Sequence, residues 1–379
     1  VTAALARGLA YYAVFTGLYW LIQWAILIQA DWALSLKRTA RRILTVWLIL
    51  VSVAPAVLGL AGLQTGPAAL VTYLWMGLAF YLYLGCLIMI PLRWLGGRRV
   101  GRPAFLIILA LSLVLVGYGH YTARRPQVSQ VTVETAKLPP DLDQVRILFL
   151  VDLHLFSVEA EARLERTLKV IEPLEYDLLI SAGDLIDVRL DQADWPALAR
   201  RLAGLKPRWG KFAVRGNHEY YADLATIDES QSFSVDFHRL AGFNLLRNQK
   251  ILVGEALRIV GLDDYYYTPA EANPGPEAEL LAGQNPVRFT ILLKHRPVVE
   301  PASLGRFDLQ LSGHTHGGQM WPFGWLVRQF SPLMMGLFEL DQGSRLLVSR
   351  GAGTWGPPVR VGSPPEVILL RIKRSRDAG

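Results

Sequence analysis

The chain has 379 residues, 52% hydrophobic and 19% charged, with a mean hydropathy of +0.27; it is too long for one ordinary small domain and too apolar for a disordered protein. Its net charge of +7 is unevenly spread: residues 1–126 set eleven Lys/Arg against Asp31, a net +10, while residues 127–379 hold 28 basic and 31 acidic groups, a net −3. The basic excess sits in the apolar part, so it does not describe a nucleic-acid-tracking surface, which must itself be basic.

Four stretches without Asp, Glu, Lys or Arg fill the first third, at about residues 8–30, 43–63, 68–90 and 104–121. Each has roughly the 17–25 residues that a helix needs to cross the hydrocarbon. The first is read as a span rather than a cleaved signal peptide, because it is long, lacks an evident small-residue cleavage site and is followed by three similar runs. Tyr11, Tyr12, Trp24, Trp32, Tyr118 and Tyr121 lie near the ends of these runs, as an interfacial aromatic belt requires. Pro55 is placed to kink the second helix. Cys86, the single cysteine, lies in the third run and reads as a small buried hydrophobe. It excludes an intrachain disulfide framework and a Cys-based zinc site.

The cations orient these spans. Lys37, Arg38, Arg41 and Arg42 separate spans one and two, and Arg93, Arg98, Arg99 and Arg102 separate spans three and four. The positive-inside tendency puts both loops in the cytoplasm and residues 127–379 outside. The alternative is a cytoplasmic soluble half with one span fewer. Ionisable groups, which ion and solute pathways carry within the membrane, are absent from the spans apart from His120 near an end. An anchor bundle is expected rather than a channel or transporter.

After Arg124-Arg125-Pro126 the texture alternates between strand and helix. Residues 145–151, 178–181, 212–214, 289–293 and 309–311 read as short buried strands, and 159–171, 195–202 and 232–241 as helices. Later β-rich pieces at 256–260, 337–340, 345–348 and 367–372 are expected to form a second sheet. The result is an α/β domain of mixed sheets covered by helices.

Five of the buried-strand candidates end in polar residues. They are Asp152-Leu153-His154, Gly183-Asp184-Leu185-Ile186-Asp187, Gly216-Asn217-His218-Glu219, Lys294-His295-Arg296 and Gly313-His314-Thr315-His316-Gly317-Gly318-Gln319. Five of the seven histidines fall there; only His120 and His238 do not. Loops leaving the carboxyl ends of neighbouring strands in an open α/β sheet meet at one rim. So many polar groups gathered in one cleft would cost several kcal/mol if unpaired. Divalent metal ions satisfy them, and mixed imidazole and carboxylate donors suit manganese, iron or zinc rather than calcium. Singly each motif is weak; the ordered set of five carries the signal.

That set, Asp-x-His, Gly-Asp-x-x-Asp, Gly-Asn-His-Glu, His and Gly-His-x-His, resembles the calcineurin-like metallophosphoesterases over residues 127–379. Residues 313–319 and 349–366, Ser-Arg-Gly-Ala-Gly-Thr-Trp-Gly-Pro-Pro-Val-Arg-Val-Gly-Ser-Pro-Pro-Glu, are similar to a bacterial membrane-attached or exported phosphodiesterase-like branch. The resemblance implies a four-layer α/β/β/α sandwich at 127–379, here preceded by a four-helix transmembrane region at 1–126 that lies outside the family's shared core. It implies Asp152, His154 and His316 on one metal, Asn217, His295 and His314 on a second, and Asp184 between them. His218 would be the catalytic histidine that is not a ligand, with Glu219 as its supporting partner. Val151 stands where the family often has Ser, which removes one expected hydrogen bond but no ligand.

Two such metal ions would bind the phosphoryl oxygens and acidify a water for attack on phosphorus, and His218 or solvent would protonate the leaving alkoxide. The expected function is thus hydrolysis of a phosphate ester, above all a phosphodiester of a lipid-linked or cell-envelope substrate. Two rivals stay open: a non-enzymatic metal-stabilised membrane sensor, and a phosphatase or nuclease acting on soluble nucleotides or nucleic acid, the nuclease disfavoured by the acidic soluble half. Two features are left over. Leu262-Asp263-Asp264-Tyr265-Tyr266-Tyr267 either lines the cleft or forms a surface turn. Met320-Trp321-Pro322-Phe323-Gly324-Trp325 either dips toward the bilayer, holds an acyl chain or is ordinary core or loop cover.

Overall fold

The structure is a computed structural model that describes residues 2–61, 63, 65–187, 195–223, 232–264, 277–283 and 287–375. The chain divides into two compact units. One comprises Val1–Tyr121 with Ser157–Glu159 and Trp355–Val361; the other comprises Thr122–Phe156, Ala160–Thr354 and Gly362–Gly379.

The first unit is built of α1 (Thr2–Leu34), α2 (Arg38–Leu60) and α3 (Pro67–Ala123). Among the described residues, three helical segments are long and apolar enough to cross a membrane: Tyr12–Leu34, Arg38–Leu60 and Pro67–Ala123. The region between the third and fourth apolar runs, read from sequence as a loop, is helical apart from a break. At Gly97 the backbone turns to φ 55°, ψ −152°, a conformation open to glycine alone among ordinary residues. Leu92, Arg93, Trp94 and Leu95 have no reason to leave the helix before it. Beyond it α3 doubles back, since a Cβ on Gly85 would collide with Ile108. A straight helix would hold those two residues roughly 35 Å apart. Tyr19 and Ile26 of α1 pack with Ala79, Leu82, Cys86 and Ile108 of α3, and the indole N–H of Trp75 donates to Gln23 Oε1 at 3.3 Å.

The second unit holds two six-stranded sheets. The first has the order β1-β12-β2-β3-β4-β5, from β1 (Gln127–Thr135), β2 (Gln144–Phe149), β3 (Leu178–Ser181), β4 (Lys211–Ala213), β5 (Asn244–Leu245) and β12 (Glu366–Arg374). The second has the order β10-β11-β9-β8-β7-β6, from β6 (Gln249–Val253), β7 (Leu257–Gly261), β8 (Phe289–Leu293), β9 (Leu309–Ser312), β10 (Gly336–Glu339) and β11 (Arg345–Val348). Strands β2, β3, β4 and β5 are parallel, as are β7, β8, β9 and β11. Ile147, Phe149 and Ile180 of the first sheet share one core with Ile259, Ile291 and Leu311 of the second. Alternate residues Leu148 and Leu179 point the other way, against Leu164 of α4 (Ala160–Ile171), Leu198 of α5 (Trp195–Ala203) and Phe237 of α7 (Phe233–Leu240). Two short helices, α6 (Asn217–Ala222) and α8 (Glu277–Leu280), come after β4 and before β8. The period-2 alternation of a strand buried on both faces explains the unbroken apolar runs.

Two strand expectations are corrected. The 367–372 piece belongs to the first sheet, because β12 pairs parallel with β1 and antiparallel with β2. The 289–293 and 309–311 pieces belong to the second sheet. The polar loops accordingly leave two sheets, not one.

Candidate metal centre

The loops after β2, β3 and β4 meet those after β8 and β9, all at the carboxyl ends of parallel strands. Five of the residues singled out from sequence, Asp152, His154, Asp184, His314 and His316, hold positive φ between 49° and 72°. Such conformations are uncommon for residues with a Cβ and concentrate at functional sites. They are held by backbone bonds between loops: Asp152 N–H donates to Gly183 O at 3.1 Å and His154 N–H to Asp184 O at 3.0 Å. Arg163, buried on α4, donates to the carbonyl oxygens of Leu153 at 3.3 Å and His154 at 2.7 Å. Closeness alone leaves no room for a Cβ at Gly216 or Gly313. A Cβ on Gly216 would collide with Asp184 Oδ1 and lie 2.8 Å from the His295 ring; one on Gly313 would lie 2.7 Å from Asp152 Oδ2.

Three groups of donors result. Ligand-capable atoms of Asp152, His154 and His316 lie within 4.8 Å of one another, and so do those of Asp184, His295 and His314 and, overlapping the first group, those of His154, Asp187 and His218. In the first set His154 Nε2 faces His316 Nε2 at 3.0 Å. In the second, His295 Nε2 lies 3.1 Å from each of Asn217 Oδ1, His314 Nδ1 and Asp184 Oδ2. A single proton on that nitrogen serves one of the three, whereas one cation serves all four atoms. Asp184 Oδ2 also lies 4.0 Å from His154 Nε2, between the two sets. The donors therefore fit divalent cations.

The electrostatics point the same way. Burial raises the Asp184 carboxyl, but His295, His218 and His154 outweigh burial and hold it well below the usual carboxylate range. Burial lowers His295, yet Asp184 and Asp152 push it up to about 9. Burial dominates at Asp152, which is pushed up to about 6. Carboxylates and imidazoles this closely packed need compensating positive charge, which a bound cation would supply.

His218 sits at the edge of these sets, its ring centroid 4.7 Å from that of His154. The structure pairs it with Asp187 rather than with Glu219: the Asp187 carboxylate bonds His218 Nδ1 and lies 3.3 Å from His154 Nδ1. Burial lowers His218, but Asp187 and Asp184 push it up to about 10. Glu219 acts elsewhere. Its carboxylate accepts the N–H of Asp184 at 2.8 Å, of Leu185 at 2.8 Å and of Gly216 at 2.9 Å, tying the β3 and β4 loops together; burial and Asp184 push its own pKa up to about 7. Asp187 closes the Gly-Asp-x-x-Asp motif, yet its role is invisible in the sequence because only the folded loop turns it toward two histidines. Arg296 had no sequence signal beyond adjacency to His295. Its Nε donates to Asp264 Oδ2 at 2.8 Å and its Nη1 lies 3.1 Å from His314 Nε2. Asp263 and Asp264 of the leftover acidic turn are buried, and Tyr265, Tyr266 and Tyr267 lie outside the described residues.

The family model of the calcineurin-like phosphoesterases matches residues 145–318. An uncharacterized metallophosphoesterase of Aquifex aeolicus is 37% identical over 270 residues, covering 69% of this chain and 98% of its own length. One of Campylobacter jejuni is 32% identical over 283 residues, covering 71% of this chain and 68% of its own. A "transmembrane protein with metallophosphoesterase domain" of Bos taurus is 29% identical over 312 residues, covering 74% of this chain and 67% of its own.

Proposed function

The chain belongs to the calcineurin-like metallophosphoesterase family, and from that membership we propose that it is a membrane-anchored hydrolase that cleaves a phosphodiester with the help of two cations. Residues 1–126 are the anchor and 127–379 the catalytic domain, a four-layer α/β/β/α sandwich. The observation that carries the reading is Asp184 Oδ2, 3.1 Å from His295 Nε2 and 4.0 Å from His154 Nε2. Asp152, His154 and His316 would hold one cation and Asn217, His295 and His314 another, with Asp184 within reach of both groups.

When bound, such ions act as Lewis acids on the phosphoryl oxygens and acidify a water. The protein's own part is to position and to move protons. Asp187 accepts the hydrogen bond from His218 Nδ1, which leaves Nε2 to donate to the departing oxygen. The same carboxylate, 3.3 Å from His154 Nδ1, orients that ring so that Nε2 faces His316. Arg296, fixed by Asp264, offers guanidinium donors to a phosphoryl oxygen.

The membrane part of the reading has four crossings, since the 57 residues of α3 would run to roughly 85 Å as one helix against about 30 Å of hydrocarbon. With both Arg-rich segments in the cytoplasm, the catalytic domain is outside. Anchoring concentrates the site on membrane-resident esters, which favours a lipid-linked or cell-envelope phosphodiester. Manganese, iron and zinc all suit the donors.

The test is the full-length protein in detergent, assayed with bis-p-nitrophenyl phosphate and p-nitrophenyl phosphate with and without Mn²⁺. Metal-dependent turnover with preference for the diester is expected. No metal-dependent turnover of either substrate would leave the metal-stabilised sensor as the better reading.

A further inference from the structure

The apolar motif at residues 320–325 takes no part in the metal centre and leads into helix α9 (Phe323–Phe330), which has no buried residue. Phe323, Leu326, Val327 and Phe330 recur at i, i+3, i+4 and i+7, the stripe that an ordinary helix turns into a core. On α9 much of that stripe stays at the surface: Phe330 is 84% and Leu326 45% exposed, and Trp321 and Trp325, before and within the helix, are 65% and 71% exposed. Of the eleven large hydrophobics exposed among the described residues from 127 onward, five lie in the ten residues 321–330. Concentration of this kind marks an interaction surface, whereas scattered exposed residues do not.

Three observations select the occupant. Arg328 is the only charged side chain from 321 to 338, in a half of the chain that is otherwise net acidic. Trp, Phe and Leu are the side chains that the apolar face of an interfacial helix buries at the headgroup boundary. Three residues separate the end of the last apolar helix at Ala123 from β1 at Gln127, about 10 Å of extended chain, so the α/β unit is tethered to the bilayer. The helix is also fixed to the metal-site loop. A Cβ on Gly318 would collide with Gly324, and Thr315 Oγ1 donates to Met334 O at 2.5 Å.

We propose that Trp321 and α9 form a lipid-seeking wedge that seats in the interface of the protein's own bilayer beside the His314–His316 loop and delivers phosphodiester headgroups of membrane lipids to the site. The inference deepens the phosphoesterase reading and rests on it for the identity of the substrate, but not for the membrane contact itself.

The contact is tested without catalysis. In a Cys86→Ala background, Phe330→Cys and, as a solvent-exposed control on α4, Lys169→Cys are nitroxide-labelled in the full-length protein and reconstituted into nanodiscs of phosphatidylcholine and phosphatidylglycerol. The label at 330 is expected to be relaxed more by oxygen than by a water-soluble nickel chelate, with the reverse at 169. Equal, water-like accessibility at both positions overturns the proposal. A second arm uses Leu326→Asp, expected to lower hydrolysis of a phosphodiester lipid in vesicles by about tenfold, the loss of roughly one 1.4 kcal/mol apolar contact, while bis-p-nitrophenyl phosphate turnover is unchanged. Equal rates on the lipid for parent and variant also overturn it. In the parent, turnover of bis-p-nitrophenyl phosphate without turnover of the lipid overturns the delivery role; absence of turnover of both sinks the phosphoesterase reading instead, and the spin labels still decide the membrane contact.

Discussion

The proposed part of His218 as proton donor needs its far nitrogen held, and the Asp187 carboxylate bonds that nitrogen. The role predicts an effect that depends on the leaving group. His218→Ala is expected to lower kcat by at least ~10²-fold on an alkyl phosphodiester, and by much less on bis-p-nitrophenyl phosphate, whose leaving group needs no proton. Equal losses on both would assign His218 to phosphoryl binding instead. Asp187→Asn, which touches both His218 and His154, is expected to cost about 10–100-fold in kcat or metal affinity, read by kinetics and metal competition. Arg296→Gln is expected to raise KM for the diester about tenfold with little change in kcat, as for loss of one charge-assisted hydrogen bond; an unchanged KM would remove Arg296 from substrate binding. The sequence made Asp152, His154, Asp184, Asn217, His295, His314 and His316 visible because each follows an apolar strand. It hid the division of labour between Asp187 and Glu219, two carboxylates in neighbouring motifs whose partners are set by loop conformations that no spacing encodes.

At the scale of the elements, α7 contains a histidine with no part in the site. His238 is fully buried, its Nδ1 donates to Ser234 O at 2.7 Å, and its Nε2 has no partner among the described residues. Burial pushes its pKa down to about 4, against about 6.5 in an unfolded chain. Between those values the unfolded chain binds more protons, so stability is complete above about pH 6.5 and falls on acidification, by up to about 1.4 kcal/mol per pH unit until pH 4 is passed. His238→Phe is expected to flatten that part of the unfolding-midpoint profile relative to the parent; superimposable slopes would contradict the burial argument. Strands β2, β3, β8 and β9 were legible because burial on both faces leaves uninterrupted apolar runs. Strand β1 was not, because the alternation Gln-Val-Ser-Gln-Val-Thr-Val carries half-exposed polar positions at a sheet edge. The sheet membership of β12 was not legible either: its partners lie more than 200 residues earlier in the chain. The break at Gly97 was hidden inside a loop assignment made from charge alone, although a glycine pair at 96–97 was there to read.

For the whole molecule, charge asymmetry is the legible feature, and the sidedness proposed from it is open to direct test. In a Cys86→Ala background, Lys169→Cys on the exposed face of α4 is expected to react with a membrane-impermeant maleimide in intact cells, or in spheroplasts if an outer barrier intervenes. Labelling that appears only after lysis would put the catalytic unit in the cytoplasm and invert the orientation read from the Arg-rich segments. The α/β unit was foreseeable as a mixed-sheet domain, but the site's origin in two sheets was not, since convergence across a sandwich leaves no periodic trace. Seven side chains from five loops would hold a pair of cations, and elemental analysis of the purified full-length protein before and after chelation counts those ions. Close to two divalent ions per chain are expected, with loss of both diester hydrolysis and thermal stability on chelation and recovery on adding Mn²⁺. A folded protein with no stoichiometric metal, whose hydrolysis and melting ignore the chelator, would contradict the account.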